Sequence, residues 1–248
     1  MPAERVPFGF RDVSPDEKRK LVSRQFDAIA STYDLADTVL SAGLDARWRR
    51  TAISLLGLAA GETVLDLCGG TGRLALLAAR KTVPGGRVVI CDFNRAMMEA
   101  GRARNGRSAA WKNVHFLQGE AESLAVAGGT VDAVTLGFGL RNFVDPAAGL
   151  GEIFRVLKPG GRVLILEFSL PRRLWVRTLY HFYSFRVMPL VARLICGTGG
   201  PHRYLAESIR VFPAPAEVVA MIGSAGFSGI EFRSLTGGIA AIYSARKP

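Results

Sequence analysis

The feature that most limits what this chain can fold into is a regular alternation of short apolar runs and helical segments between residues 63 and 168. Runs of this length suit strands and are too short for helices. Five of them follow one another: TVLDL (63–67), RVVICD (87–92), VHFLQ (114–118), VDAVTLG (131–137) and RVLILEF (162–168). Strands that alternate with helices in this way form a mostly parallel sheet with helices on both faces.

The ends of the chain complete this pattern. A helix is predicted over 15–32, with Ser14 as its cap and Pro15 at its first position, and a second helix over 46–57. After a helix over 215–225, the runs GIEFRSL and GIAAIYSA predict an antiparallel hairpin that finishes the sheet. The prediction is an α/β fold with a doubly wound, mostly parallel, seven-stranded sheet.

A length of 248 residues fits one domain. We divide it into an N-terminal helical cap (1–57), a core (58–171), a helical insertion after the fifth strand (172–212) and a C-terminal αββ unit (213–248). No apolar run reaches the ~20 residues that a membrane-spanning helix needs. The first residues lack the apolar core of a signal peptide, so we expect the chain in the cytoplasm.

The net charge of +11 is the unusual bulk property of the chain. It favours a nucleic acid, an anionic membrane surface or an acidic substrate as partner, and plain solubility explains it equally well. The three cysteines, Cys68, Cys91 and Cys196, show no metal-ligand spacing, and no metal is predicted.

A glycine-rich loop, CGGTG (68–72), follows the first of the five strands. In open α/β sheets the ligand binds outside the carboxyl ends of the strands. Three of these ends carry an acid, because Asp66 closes the first strand, Asp92 closes the second and Glu120 follows the third. The sequence therefore places three carboxylates around one candidate site.

Residues 70–75 also match G-x-G-x-x-A, the pattern of a dinucleotide site. Asp66 argues against a dinucleotide, since its carboxylate would lie near a pyrophosphate. S-adenosylmethionine has no phosphate and carries a sulfonium cation and an ammonium group. A site with three carboxylates suits that cofactor, although each acid alone could be a helix cap or a solvated turn.

The chemistry of S-adenosylmethionine assigns a role to each residue around the loop. Gly70 and Gly72 allow the backbone to approach the methionine portion. Asp66 is expected to attract the ammonium group, and Asp92 to accept both ribose hydroxyl protons. At the third strand, the Glu120 carboxylate is expected to accept from the adenine amino group, and the Ala121 amide to meet the ring edge.

Several longer motifs extend over nearly the whole chain. They are FGF (8–10), YDLADTVLSAGLDARWRR (33–50), LDLCGGTG (65–72), FGLRN (138–142), RVLKPGG (155–161), LEFSLP (166–171), RYLAESIRVFP (203–213) and LTGGIAAIYSARK (235–247). With these motifs the chain resembles the ubiquinone/menaquinone C-methyltransferases, the UbiE family. The resemblance implies S-adenosylmethionine-dependent C-methylation of a polyprenylated benzoquinol or naphthoquinol ring, and the sequence does not choose between the two rings.

The resemblance also assigns site residues. The family's cofactor positions fall on Thr71, Asp92, Glu120, Ala121 and Gly137.

This chain departs from the family pattern at several positions. Gly137 stands where relatives often carry Ser, so only its backbone can contribute. His202 stands where Tyr is common. Arg73 replaces an Asp, and a cation in the first turn of a helix opposes the helix dipole. We therefore expect Arg73 to pair with an acid or with the cofactor carboxylate.

Methyl transfer to a ring carbon, the expected reaction, indicates a second group of candidate residues. An electron-rich ring carbon beside a hydroxyl must attack the sulfonium methyl, so the quinol is the expected substrate. Arg141 and Asn142 follow the fourth strand. Arg141 is expected to stabilise a phenolate and Asn142 to orient a water, with a structural ion pair as the alternative for Arg141. Tyr33 and Asp34 are expected on a lid over the cofactor, and ordinary helix packing is the alternative. Tyr204 is assigned with them to the substrate and lid residues.

The 172–212 insertion is rich in arginine and in large apolar side chains. The apolar set is Leu174, Trp175, Leu179, Tyr180, Phe182, Tyr183 and Phe185. Such a composition is typical of a segment at a membrane surface, while a cover over the active site is the other interpretation. We expect a prenylated quinol and an anionic membrane surface as partners, with the enzyme peripheral on the inner face of the cell membrane.

Other functions and assemblies stay open in the sequence. A nucleic-acid methyltransferase would share the cofactor fold, but the chain has no RNA-binding module and no base-flipping motif of the Asn-Pro-Pro-Tyr type, so no nucleic acid is expected. A non-catalytic binding protein is disfavoured by the intact acids and glycines of the loop. A homodimer and a biosynthetic complex are both compatible with the sequence.

Overall fold

One central sheet organises the chain in the computed structural model, which describes residues 5–248. Its strands follow the alternation seen in the sequence. The strands are β1 (Val6–Phe8), β2 (Arg11–Val13), β3 (Thr63–Leu67), β4 (Arg87–Asp92), β5 (Val114–Gln118), β6 (Val131–Gly137), β7 (Leu157–Phe168), β8 (Ser228–Leu235) and β9 (Ala240–Arg246).

Seven of these strands pair in the order β5-β4-β3-β6-β7-β9-β8. The five strands from β3 to β7 are parallel, and β9 pairs antiparallel with both β7 and β8. The chain runs outward from β3 through β4 to β5 and then returns to β6 on the other side of β3. The resulting switch point lies at the carboxyl end of β3, where open sheets bind their ligands. The predicted fold class is confirmed.

Helices cover both faces of the sheet. They are α1 (Pro15–Asp27), α2 (Tyr33–Leu40), α3 (Leu44–Leu56), α4 (Arg73–Thr82), α5 (Arg95–Asn105), α6 (Pro146–Val156), α7 (Leu174–Phe182), α8 (Met188–Cys196), α9 (Gly200–Val211) and α10 (Pro215–Ser224), with a π-helical turn at Tyr183–Val187. None of the helices within 5–248 is long and apolar enough to cross a membrane.

Alternating side chains of the strands supply two cores. Val64 packs with Ile53 and Leu74 from the helices on one face, whereas Leu65 belongs to the core of the other face, which α6 and α10 cover. Burying one such aliphatic side chain completely contributes ~1.5–3 kcal/mol to folding. These two layers hold the carboxyl ends of the strands, and thus the site, in a fixed frame.

The N-terminal region differs from its prediction. The expected helix over 15–32 ends at Asp27, and a new helix, α2, begins at Tyr33. The Ala28 N–H bonds back to carbonyls of α1, and the Thr32 N–H bonds to the Ile29 carbonyl at 3.0 Å. Two turns therefore separate the helices, and α2 is free to lie against the glycine-rich loop.

Two strand assignments also needed correction. Strand β7 begins at Leu157 and not at 162, because the backbone of 160–161 pairs with Lys247 through two hydrogen bonds of 2.9 Å. The hairpin β1–β2 was not predicted at all. It packs its apolar side chains against α1 and α9, and the Phe8 ring stacks on Tyr204 with ring centroids 4.2 Å apart. The hairpin thereby positions α9.

Candidate active site

The glycine-rich loop after β3 curls around the carboxylate of Asp92. The Gly70 N–H donates to Asp92 Oδ2 and the Asn94 N–H donates to Asp92 Oδ1, both at 2.8 Å. Gly70 and Gly72 have φ of +53° and +77°, a region that glycine enters without strain. A Cβ at Gly72 would also lie 2.5 Å from the ring of Trp111. Both the backbone conformation and the lack of space therefore require glycine at this position.

Asp92 is buried at the end of β4. Burial raises the pKa of its carboxyl to about 6, while the two backbone N–H donors act in the opposite direction. A carboxylate oxygen can accept more than one hydrogen bond. Both Asp92 oxygens therefore keep acceptor capacity for a ligand in the cleft, even though each already accepts from the loop.

Asp66 lies deeper than Asp92. Its carboxylate accepts from the Ala75 N–H at 3.0 Å and from the Thr135 hydroxyl at 2.6 Å, and its side chain is fully buried on the wall of the cleft. Burial raises the pKa of Asp66 to about 7. These contacts join β3, α4 and β6. The assignment of Asp66 to a ligand ammonium group stays a prediction.

The structure brings Gly70, Thr71, Asp92 and Gly137 together in one cleft. Gly137 lies against Leu74, whose Cδ1 would be 2.5 Å from an added Cβ. Glu120 and Ala121 line an adjoining recess that shares Cys68, Phe93 and Asn142 with the cleft. In this recess Arg19 Nε lies 3.4 Å from a Glu120 carboxylate oxygen. Seven of the eight predicted cofactor residues, all except Gly72, therefore line two connected compartments.

Tyr33 and Asp34, the two residues assigned to a lid, lie on one side of this cleft. The Thr71 hydroxyl donates to Asp34 Oδ1 at 2.6 Å, and the Arg104 guanidinium pairs with the other oxygen of Asp34. Tyr33 lines the cleft, and burial raises the pKa of its phenol above the usual range. Helix α2 is thus attached directly to the glycine-rich loop.

A ring of four charged side chains supports α2 and was not predicted as a set. Arg49 lies 2.7 Å from Asp45 and 3.0 Å from Asp37, and Arg73 lies 2.6 Å from Asp45 and 3.1 Å from Asp37. The expectation that Arg73 pairs with an acid is confirmed. Asp45 and Arg49 have the i, i+4 spacing of a helix pair, which is the one sequence signal that could have found this ring.

On the opposite side, Arg141 forms an ion pair with Glu167. Arg141 Nη1 lies 3.0 Å from Glu167 Oε1, and the backbone N–H of Arg141 donates to Oε2 at 3.2 Å. Glu167 is completely buried, and its carboxylate raises the pKa of Arg141 against the opposing effect of burial. Sequence reasoning allowed for an ion pair at Arg141 but did not identify Glu167.

Asn142 connects the cleft to α9. The Tyr204 hydroxyl donates to Asn142 Oδ1 at 3.0 Å, and burial raises the pKa of Tyr204 to about 12. Asn142 lines the cofactor cleft, whereas Tyr204 and Arg141 line a second cavity beside it. The predicted catalytic and substrate residues therefore meet at the boundary between two compartments.

The second cavity has a volume of about 430 Å³ and a mostly apolar wall. Its aromatic side chains come from the N-terminal helices, from β7 and from the insertion. They are Phe26, Tyr33, Trp48, Phe168, Tyr180, Tyr183 and Tyr204. Phe26 and Tyr33 also line the cofactor cleft, so the two compartments adjoin.

The sheet order, the glycine-rich loop after β3 and the acid at the end of β4 define the class of protein. This is the fold of the S-adenosylmethionine-dependent methyltransferases. A solved structure of a SAM-dependent methyltransferase from Thermotoga maritima superposes with a TM-score of 0.63 at 17% identity, covering 91% of this chain and 99% of that chain.

The family follows from the sequence comparisons. The model of the ubiE/COQ5 methyltransferase family matches residues 13–247, and the chain belongs to that family. A relative from Marinomonas sp. (strain MWYL1), called a ubiquinone/menaquinone biosynthesis C-methyltransferase UbiE, is 40% identical over 97% of this chain and 96% of its own length. A relative of the same description from Pseudomonas putida is 42% identical over 97% of this chain and 94% of its own length. The chain is a methyltransferase, and the predicted family is confirmed.

Proposed function

We propose that this enzyme transfers the methyl group of S-adenosylmethionine to a ring carbon of a polyprenylated quinol. The observation that carries the proposal is the cavity of about 430 Å³, whose apolar and aromatic wall adjoins the cleft of the glycine-rich loop. A flat ring with an apolar tail matches such a wall. The names of the relatives, which join ubiquinone and menaquinone biosynthesis, support the same substrate class.

The residues of the cleft fit the charges of S-adenosylmethionine. Asp66 offers a carboxylate to the ammonium group and Asp92 offers one to the ribose hydroxyls, while Arg49 and Arg73 on the same wall offer cations to the cofactor carboxylate. The glycine-rich loop leaves the backbone open to a close approach. When bound, the cofactor supplies a methyl group on a positively charged sulfur, a good leaving group for attack by carbon.

The cleft itself has a volume of about 60 Å³, and the recess at Glu120 another 60 Å³. Sites for ligands of this size are typically about 300–1,000 Å³. An outward movement of the N-terminal helices would widen the cleft for the cofactor, and it would break the bond between Thr71 and Asp34. This supports the role of Tyr33 and Asp34 as a lid.

The residues at the boundary act on the ring. The positive charge of Arg141, held in place by Glu167, stabilises the negative charge that develops on a ring hydroxyl. Asn142, fixed by the Tyr204 hydroxyl, orients a polar group between the two compartments. The apolar wall excludes water and so strengthens these interactions. Only the reduced ring is electron-rich enough for this chemistry, so the quinol and not the quinone is the substrate.

The insertion supports docking on an anionic bilayer. Six large apolar side chains of α7 and α8 are mostly exposed: Leu174, Trp175, Leu179, Phe182, Leu190 and Leu194. Exposed arginines lie among them, and no acidic residue occurs between 168 and 206. Leu179 is both 62% exposed and part of the cavity wall, so the cavity opens toward this face. A prenyl tail could pass there from the bilayer into the cavity.

The proposal is tested by supplying the enzyme with labelled S-adenosylmethionine and two reduced lipids in separate reactions. One lipid carries a demethylmenaquinol ring and the other a 2-polyprenyl-6-methoxy-1,4-benzoquinol ring. We expect label on the ring carbon of at least one lipid and none on either oxidised quinone. Absence of label on both quinols, with S-adenosylmethionine bound, would contradict the proposed substrate class.

A further inference from the structure

Two residues that line the large cavity each have a buried polar atom without a hydrogen-bond partner. The atoms are Nδ1 of His202 and Nε of Arg141. Within residues 5–248 the one other side-chain atom in this condition is Trp111 Nε1, which does not line the cavity. An unpartnered buried polar atom destabilises the fold, so two of them on residues of one apolar cavity indicate a ligand with polar groups.

His202 lies in the first turn of α9 and is 6% exposed. We propose that its imidazole accepts the proton of the ring hydroxyl beside the carbon that is methylated. The inference rests on the proposed function and adds the group that activates the substrate, for which neither the motifs nor the comparisons supply a residue. Arg141 supplies the matching N–H donor on the same wall.

The protonation states on the cavity wall favour His202 for this role. Burial lowers the pKa of the His202 imidazole below its usual value, so the ring is neutral and has a free lone pair at neutral pH. The phenols of Tyr33 and Tyr204 have raised pKa values and keep their protons. Arg141 keeps its charge because Glu167 raises its pKa.

The remaining titratable groups on this wall belong to other elements. Helix α2 contributes Asp37, the one acid of the wall, whose Oδ2 is held by two arginines of the charged ring. The insertion contributes the phenols of Tyr180 and Tyr183, and α1 contributes the neutral Gln25. Helix α8 contributes Met188, which does not titrate. His202 is therefore the group on this wall with a nitrogen lone pair that is free for a proton.

The proposed step conserves atoms and charge. The hydroxyl O–H bond breaks, its proton moves to the imidazole, and the oxygen electron pair shifts into the ring as the adjacent carbon forms a bond to the methyl group. The methyl–sulfur bond breaks, and its electrons remain on the neutral thioether. The methylated carbon then loses its hydrogen to water, and the imidazolium returns a proton to the oxygen. The products are the methylated quinol, the thioether and one proton.

The test compares the parent with His202→Gln, which keeps a polar side chain of similar size but cannot take up a proton. For the parent, kcat/KM with a short-tailed demethylmenaquinol, measured at saturating S-adenosylmethionine at each pH, should fall as pH drops through the His202 pKa, because the protonated imidazole cannot accept. His202→Gln should be slower by about 100-fold and should lose this acid limb. His181→Gln, at an exposed histidine of α7, is the matched control and should keep the parent profile.

A second measurement does not depend on turnover or on the stability of the variant. The chain holds three histidines, so ¹⁵N spectra of the imidazoles can be assigned with His181→Gln and His115→Gln. With S-adenosylhomocysteine present, adding the reduced quinol should shift the His202 nitrogen signals and leave those of the other two histidines in place. An unmoved His202 signal in the presence of bound quinol would overturn the inference.

The outcomes separate the two proposals. If the parent methylates the quinol and His202→Gln does so at the parent rate with the same acid limb, the role of His202 is wrong and the proposed function stands. If the parent transfers no methyl group to any reduced quinol, the proposed function fails, and the role of His202 fails with it. Equal cofactor affinity in both proteins shows that the variant is folded.

Discussion

At the scale of single residues, Asp92 has two tasks at the end of β4. Its oxygens accept the N–H groups of Gly70 and Asn94, which fixes the shape of the loop, and they also face the cleft. Burial makes this carboxyl harder to ionise, with a pKa raised to about 6. The same side chain therefore shapes the cofactor site and changes its charge near neutral pH.

We predict that Asp92→Ala weakens S-adenosylmethionine binding by about 1.5–3 kcal/mol, the range for hydrogen bonds to a charged group. Isothermal titration calorimetry measures the change. Asp16→Ala, at an exposed acid in the first turn of α1, is the control and should bind as the parent does. Unchanged affinity in a folded Asp92→Ala protein would remove Asp92 from the site.

Cofactor binding is also predicted to release protons between pH 5 and pH 7. Asp66 and Asp92, with pKa values raised to about 7 and about 6, are partly protonated in this range. A bound cation favours their charged forms and lowers both pKa values, so affinity should fall as pH decreases. Calorimetry in buffers of different ionisation enthalpy counts the protons. Proton uptake, or none at all at pH 6, would contradict the raised pKa values.

Substitutions at Arg141 and Glu167 distinguish a role in stability from a role in catalysis. Arg141→Met leaves the buried Glu167 carboxylate without its partner and should lower the free energy of unfolding by about 3–5 kcal/mol. Adding Glu167→Gln removes the buried charge and should recover much of that loss. Methyl transfer should stay slow in both proteins, with near-parent cofactor affinity in the double variant. Recovery of activity together with stability would show that Arg141 only holds the fold.

The places of the predicted cofactor residues in the fold were evident from the sequence because strand ends fix them. Asp66, Asp92 and Glu120 follow strands whose lengths are evident in the sequence, and parallel strands bring their carboxyl ends to one edge. Glu167 also ends a strand, yet its pairing with Arg141 depends on how the segment after β6 folds back over β7. Residue spacing along the chain carries no information about that contact.

At the scale of elements, the break between α1 and α2 determines how the site closes. No Gly or Pro occurs between residues 16 and 42, so no local signal marks the end of α1 at Asp27. The position of α2 is set instead by tertiary contacts, among them the hydrogen bond from Thr71 to Asp34. The strands β3, β4, β6 and β9, by contrast, were predictable because each is a mostly buried apolar run with turn residues on both sides.

We predict that Thr71→Val loosens the lid. Valine keeps the shape of threonine but cannot donate to Asp34, so α2 should open more readily and the dissociation rate of S-adenosylmethionine should rise. Stopped-flow fluorescence measures this rate. Thr130→Val, at an exposed threonine that does not line the cleft, should leave the dissociation rate unchanged. A Thr71→Val dissociation rate equal to the parent rate would show that this bond does not hold the lid.

At the scale of the whole molecule, the distribution of charge matters more than its sum. The net charge of +11 leaves the kind of partner open. The acid-free segment 168–206 supplies part of the cavity wall and exposes six large apolar side chains. A surface that combines both features suits an anionic bilayer, where each arginine contributes about 1 kcal/mol.

We therefore predict that the protein floats with anionic liposomes at low salt and that binding weakens as salt screens the charges. Exchanging Leu174, Trp175 and Leu194 for Gln together should abolish flotation, since these side chains lie outside the cores. Leu55→Gln and Phe232→Gln, at exposed apolar positions elsewhere, are the controls. If the parent stays in the aqueous fraction with anionic lipid at low salt, the insertion serves only as a cover for the cavity.

Phe26 and Tyr33 lie in the walls of both compartments, so each ligand meets the same two side chains from its own side. A shift of α2 that admits one ligand necessarily reshapes the compartment of the other. By thermodynamic linkage, the factor by which the cofactor changes the affinity for the quinol equals the factor by which the quinol changes the affinity for the cofactor. Because the two compartments share Phe26 and Tyr33, we expect the two ligands to influence each other's affinity without a separate effector site.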